Sequence, residues 1–231
     1  KIIAKTDAIM IARGDLGVEM KLQDVPIIQK QIVEKCLQKS KPVIIATQMM
    51  ESMIANNKPT RAEVTDVANA IFDGADVVML SGETAMGKYP VQVIETMRKI
   101  ITTVEEKSDI YFRHLTANPH SPTFISDAVC YSACRLAESV QANAIIGMTR
   151  SGYTAYMTSS CRPKAKIYVF SDNRRLLSRM SLVWGVRGFY YDQMVSTDNS
   201  INDVQEYLKE REVITAGDVV INLASMPLHK Q

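Results

Sequence analysis

Along the first third of the chain, short runs of apolar residues alternate with longer stretches in which apolar residues recur every three or four positions. The first run is Ala8-Ile9-Met10-Ile11-Ala12, and the second Val43-Ile44-Ile45-Ala46. The third is Val77-Val78-Met79-Leu80. Each is continuous rather than alternating, the pattern of a strand covered on both faces. After the first run, Val25, Ile28, Ile32 and Cys36 fall on one helical face, with Pro26 suited to the first turn. After the second, Thr60-Arg61-Ala62-Glu63 is a capping box that opens a helix with Val64, Val67, Ala68 and Ile71 on its apolar side and Gly74 at its end. After the third, a helix starts near Pro90 and is expected to bury Ile94, Met97, Ile101 and Val104.

This is strand and helix in strict alternation, and it predicts a parallel sheet covered by helices. The spacing of the strand ends at Asp15, Thr47 and Ser81 is close to one unit of a (β/α)8 barrel. Residues 1–107 therefore read as the C-terminal part of such a barrel, with the remaining units expected before Lys1. Residues 108–124, with Pro119 and Pro122 and no clean period, read as a linker. Residues 125–231 resume the alternation. A helix carries Val129, Ala133, Leu136 and Val140, and strands follow at 144–148, 167–170, 186–191 and 219–223. Between them, a short helix opens at Ser151-Gly152, Asp172 is the expected cap of the next, and Ser200 of the one after. The fold class is thus α/β: a partial (β/α)8 barrel followed by a small doubly wound α/β domain, which is expected to stop just after a strand, at Pro227 to Gln231.

Composition adds exclusions. Of the 231 residues, 46% are hydrophobic and 23% charged, with a formal net charge of +2. The charge is too small and the basic residues too scattered to predict nucleic-acid binding. No apolar run approaches the 18 residues a membrane span needs. Four cysteines are present, none in a C-x-x-C pair; Cys130 and Cys134 share a helix face and read as core residues. Unpaired cysteines predict a reducing, cytoplasmic setting.

In parallel α/β folds ligands bind at the C-terminal ends of strands. Here those ends are Arg13-Gly14-Asp15, Thr47-Gln48 and Ser81-Gly82-Glu83-Thr84. Asp15 is either a ligand for a hard cation or a helix cap. Gly14 and Gly17 let backbone N–H groups approach an anion, or simply make a tight turn. The Thr47 hydroxyl can bond a substrate oxygen or relay a proton. Glu83 reads as a solvated loop acid. Arg13 is the sole cation among these strand-end residues, and no Walker-type glycine loop is present.

In their order and wording, these motifs resemble pyruvate kinase. The stretch Ile9 to Glu19, with its Arg13-Gly14-Asp15-Leu16-Gly17, resembles that family's metal- and substrate-binding strand. Lys41 to Met49, Pro59 to Glu63, Asp66 to Ala70, Asp73 to Asp76 and Met79 to Ala85 continue the match in register. The resemblance implies transfer of the phosphoryl group of phosphoenolpyruvate to ADP, giving pyruvate and ATP, with Mg²⁺ (or Mn²⁺) and K⁺. It implies that Asp15 ligates the divalent metal and that Arg13, Gly14, Asp15 and Thr47 bind substrate, with the carboxylate on the N–H groups of Gly14 and Asp15. Thr47 and Ser81 take catalytic roles, Ser81 in the proton relay to the enolate carbon. Gln48 stands behind them, and Arg61 lies at a subunit interface of a homotetramer.

The family's catalytic lysine, its second metal-ligating glutamate and its K⁺ ligands fall outside this sequence. The chain alone is therefore expected to be inactive. In the second domain, the loop Thr149-Arg150-Ser151-Gly152-Tyr153-Thr154 matches one that in many pyruvate kinases holds a phosphate of an activating sugar phosphate. Thr149, Arg150, Ser151, Gly152 and Thr154 are the candidate effector residues, and Tyr153 departs from the family pattern. The alternative reading is a non-catalytic α/β regulatory module that binds a phosphate effector through this loop.

Overall fold

A computed structural model describes residues 2–113, 115–193 and 197–224; the expected chain end at Pro227 to Gln231 lies outside them. The chain divides into two compact units, Lys1–Ile110 and Tyr111–Gln231.

In the first unit, β1 (Ile9–Ala12), β2 (Val43–Ala46) and β3 (Val77–Val78) form a parallel sheet in sequential order. Ile9 pairs with Val43, Ile11 with Ile45, and Ile45 with Val78. Helices α1 (Arg13–Glu19) and α2 (Val25–Gln38) follow β1, α3 (Arg61–Asp73) follows β2, and α4 (Gly82–Ala85) and α5 (Pro90–Lys107) follow β3. The capping box is present: the Glu63 N–H donates to Thr60 Oγ1, and the Thr60 N–H returns to the Glu63 carboxylate. Gly74 ends α3 in a left-handed conformation, at φ 98°.

The core of this unit joins Ile11, Val33, Cys36, Val43, Ile45, Val67, Val93 and Met97. Beneath the end of β2 lie Met49, Met50 and Met53, none with any exposed surface. The strands were expected to be covered on both faces. Only one face is: Ile11, Val43 and Ile45 are buried, whereas Met10 is 55% exposed and Ile44, its partner in the ladder, only half-buried. Three βα units place their helices on one side of the sheet and leave the other open. Along α5, Val93, Met97 and Val104 are buried, whereas Ile94 is exposed.

In the second unit, β4 (Ala144–Met148), β5 (Lys166–Ser171), β6 (Val186–Tyr190) and β7 (Val220–Leu223) form a parallel sheet ordered β6-β5-β4-β7. The reversal beside β4 is that of a doubly wound fold. The helices are α6 (Phe124–Ser139), α7 (Tyr153–Ser160), α8 (Arg174–Met180) and α9 (Thr197–Glu210). Segment 111–113, expected in a linker, is held within this unit: the N–H groups of Phe112 and Arg113 donate to the carbonyls of Arg162 and Cys161.

Helix α6 lies where expected, and Ala133, Cys130 and Cys134 are buried as read, but the bulky residues expected beside Ala133 are not. Its buried residues are the small ones, Cys130, Ala133, Cys134 and Ala137, together with Asp127; Val129, Leu136 and Val140 are exposed. Close approach to the sheet selects small side chains, so bulk was the wrong guide to the inner face. Two caps also differ. The cap of α8 is Asn173, whose side chain accepts the Leu176 N–H, and not Asp172. Helix α9 begins at Thr197, which leaves Ser200 buried within its first turn rather than capping it.

Candidate active site at the strand ends

The parallel order of β1, β2 and β3 puts their C-terminal ends on one edge of the sheet. At the end of β1 the chain turns directly into α1, so Arg13, Gly14 and Asp15 form its first turn. Asp15 is exposed, and Ala12 stands at the cap position, so the cap reading of Asp15 is not the one adopted. At the end of β2, Thr47 and Gln48 are both left-handed, at φ 71° and 56°. For a β-branched residue this is a strained conformation, of the kind that persists only where its surroundings impose it.

Several bonds converge on this corner. The Gly14 N–H donates to Thr47 Oγ1 at 3.0 Å. Arg13 Nη2 donates to the Thr47 carbonyl at 2.7 Å and lies 3.0 Å from Met49 Sδ. Arg13 Nη1 donates to both carboxylate oxygens of Asp66, at 2.7 and 2.6 Å, with the Arg13 side chain only 14% exposed. Arg13, expected to meet substrate, is thus engaged with Thr47 and Asp66.

The end of β3 is tied in by a residue that sequence reasoning misjudged. Glu83 is not a solvated acid but 4% exposed. Its Oε1 accepts the Met50 N–H at 3.2 Å and its Oε2 the Ser81 N–H at 2.8 Å, so one carboxylate braces two neighbouring strand-end loops. Its signal was only its place in Ser81-Gly82-Glu83, where a charged residue marks either solvent or a bonded interior. The Ser81 carbonyl in turn accepts the Thr84 hydroxyl, while Ser81 itself is exposed.

Glu63 adds a second bridge. Burial acts to raise its pKa, but hydrogen bonds from the Ser52 hydroxyl and N–H, and from Thr60, hold the carboxyl below its ordinary value. Arg61 is exposed at the first position of α3. Beside the strand ends, a cavity of about 420 Å³ is lined by Arg13, Gln48, Asp66, Asn69, Asp73 and α2 residues including Gln29 and Lys30. Asp15, Thr47 and Ser81 do not line it.

Among the described residues, no group of three or more His, Cys, Asp or Glu side chains could hold a metal ion. Mg²⁺ wants near-octahedral oxygen from one or two carboxylates, water and substrate. Asp15 offers one exposed carboxylate at the right edge, but these residues do not complete a site. Two of the thiols are poor nucleophiles: burial pushes Cys130 up to about 11, and burial together with the Asp76 carboxylate does the same to Cys36.

In the second unit the loop after β4 is held in part by its own side chains. The Gly152 N–H donates to Thr149 Oγ1 at 2.9 Å and the Tyr153 N–H to Ser151 Oγ at 3.3 Å. The Tyr153 hydroxyl bonds the buried Asp127 carboxylate, which also accepts from Thr123. Gly152 is left-handed at φ 81°, and a Cβ there would meet Leu176 Cδ1 at 2.8 Å. Arg150 and Ser151 are exposed, Thr154 half-buried.

A family model described as pyruvate kinase, barrel domain, matches residues 1–94, and one described as pyruvate kinase, alpha/beta domain, matches residues 127–231. A pyruvate kinase of Clostridium acetobutylicum is 41% identical over 228 residues, covering 98% of this chain and 48% of the relative. One of Geobacillus stearothermophilus is 42% identical over 231 residues, covering 99% of this chain and 39% of the relative. The crystal structure of a pyruvate kinase from Cryptosporidium parvum superposes with a TM-score of 0.89 at 35% identity, over 96% of this chain and 45% of that one. The chain thus spans about half the length, or less, of the relatives it matches.

Proposed function

Since this chain belongs to the pyruvate kinase family, we propose that it supplies the last three strand ends and the α/β domain of an enzyme that transfers the phosphoryl group of phosphoenolpyruvate to ADP, giving pyruvate and ATP. One observation carries this reading: the Gly14 N–H and the Thr47 hydroxyl, from adjacent parallel strand ends, meet at 3.0 Å beside the exposed Asp15. Backbone donors, a hydroxyl and a carboxylate on one edge suit a small phosphorylated acid held beside a cation.

In this reading Gly14 and Asp15 offer N–H groups to the substrate carboxylate. Asp15 gives one ligand to Mg²⁺ or Mn²⁺, whose role when bound is to offset charge on the transferring phosphate. Thr47 bonds the substrate, and Ser81 hands a proton toward the enolate carbon. Gly14 N–H already donates to Thr47 Oγ1, so an arriving carboxylate shares or replaces that bond. The K⁺ ligands and the catalytic lysine belong to parts of the family fold that this sequence does not include, and the chain by itself is inactive. Assembly as a homotetramer, with Arg61 at a subunit interface, and a cytoplasmic location complete the reading. No described helix is long and apolar enough to cross a membrane.

Two experiments test this. Purified chain should show no Mg²⁺-dependent pyruvate formation in a coupled assay; clear turnover would refute its inactivity. The coding sequence upstream of Lys1 should continue into further βα units, with a lysine and a glutamate on the preceding strand. A stop codon or an unrelated domain there would count against the enzyme.

The second unit is proposed to take a phosphate of a sugar-phosphate effector at Thr149, Arg150, Ser151, Gly152 and Thr154. Support comes from the exposed Arg150 and Ser151 at the start of α7. Titration with fructose bisphosphate should shift the amide resonances of 150–154; unmoved resonances at millimolar ligand would remove the proposal.

A further inference from the structure

The guanidinium of Arg13 stands at a junction of three elements. It belongs to the corner between β1 and α1, its Nη1 donates to both oxygens of Asp66 on α3, and its Nη2 donates to the Thr47 carbonyl at the end of β2. The next residue, Gly14, donates its N–H to Thr47 Oγ1. One corner therefore grips Thr47 at both ends, by its carbonyl and by its hydroxyl. Thr47 is the residue whose backbone needs such a grip, since it is β-branched, left-handed, and followed by a second left-handed residue.

We propose that Arg13 is a positioning residue rather than a substrate ligand: anchored on Asp66, it holds the Thr47 carbonyl and so fixes the left-handed corner that seats the Thr47 hydroxyl against Gly14. The proposal rests on reading Thr47 as the substrate-facing hydroxyl. Both terminal nitrogens of Arg13 are already engaged, with Asp66, Thr47 and Met49, and its side chain is only 14% exposed. The fork geometry matters as well as the charge. A guanidinium spans a carboxylate and a carbonyl at once, whereas an ammonium is a point charge on a flexible stem.

The test uses the whole chain and backbone NMR, with Arg13→Gln, Arg13→Lys and Asp66→Asn. In Arg13→Gln the Thr47 and Gln48 resonances should leave their left-handed values, and exchange of the Gly14 amide should rise about tenfold or more. Arg13→Lys should displace Thr47 in the same direction, since it keeps the charge beside Asp66 but loses the fork. Asp66→Asn should give the same signature at smaller amplitude. The Glu63 amide in the capping box, which shares α3 but not the clamp, should keep its protection, so a general loosening is told apart from a local one. If Arg13→Gln does not fold, Asp66→Asn decides. Thr47 resonances and Gly14 protection unmoved in the folded variants would overturn the proposal. No turnover is measured, so failure of the clamp is distinct from failure of the phosphoryl-transfer reading.

Discussion

The strand ends of the first unit and the loop after β4 in the second occupy equivalent places in their sheets, yet the balance of distant and local partners that holds them differs. In the first unit the partners come from elsewhere in the chain. Arg13 reaches Thr47 and Asp66, and Glu83 reaches Met50. In the second, Thr149 and Ser151 bond the N–H groups of residues two or three positions on, and one side chain of the loop, Tyr153, reaches further, to Asp127 on α6. Long-range bracing draws groups from several strands onto one edge, as multi-residue chemistry requires. Local bracing only starts a helix, and leaves a single loop to recognise whatever binds. The difference supports placing the reaction in the first unit and an accessory role in the second.

The most damaging way to probe that difference is Glu83→Ala. Removing a buried carboxylate that accepts two N–H groups from separate loops should cost about 2–4 kcal/mol. Denaturation followed at amides of residues 45–85 would measure it; a loss within error would mean that the first unit is braced no more widely than the second. Next comes Gly152→Ala. The left-handed backbone and the 2.8 Å approach to Leu176 Cδ1 should together cost about 1–3 kcal/mol. Because the partners given for this loop all belong to the second unit, the loss should appear only there, and amide exchange that changes throughout residues 2–110 would contradict that confinement.

The smallest effect concerns Glu63. Its pKa lies below its ordinary 4.5 in the folded chain. The stabilisation is therefore complete above the unfolded value and is lost as pH falls through the lower, folded one. Glu63→Gln should cost about 1 kcal/mol at pH 7 and flatten the acid limb of a stability–pH curve. An unchanged acid limb would show that the Ser52 and Thr60 bonds contribute little.

Much of the frame was legible beforehand because it rests on periodicity. The apolar runs at 43–46 and 144–148 are strands, and the Thr60 to Glu63 box caps α3 as read. What escaped depends on three-dimensional neighbours. Bulky Val129 and Leu136 marked α6 correctly as a helix but lie exposed, because close packing kept Ala133 and took Ala137 and the cysteines in their place. Asn173 and Asp172 are adjacent and equally good caps by type, so only the local turn separates them. Thr47 and Gln48 have no propensity for left-handed backbone, and nothing in their neighbours' names announced it. Of the strand-end residues, the sequence marked Gly14 and Thr47 as separate candidates without announcing the bond between them, and it gave no sign of the pairing of Arg13 with Asp66 or of Glu83 with Met50, which cannot be read from spacing.

The unexposed thioethers of Met49, Met50 and Met53 lie directly after the strained corner at Thr47, with Met49 Sδ against Arg13. Flexible, polarisable side chains tolerate an irregular backbone above them better than branched ones would. They also make this corner a place where ageing should register late. Among the described methionines, Met86, 78% exposed, should take up oxygen from peroxide first, and sulfoxide at 49–53 should accumulate only as fast as the unit opens, so the chain would carry its own record of how often its strand ends come apart.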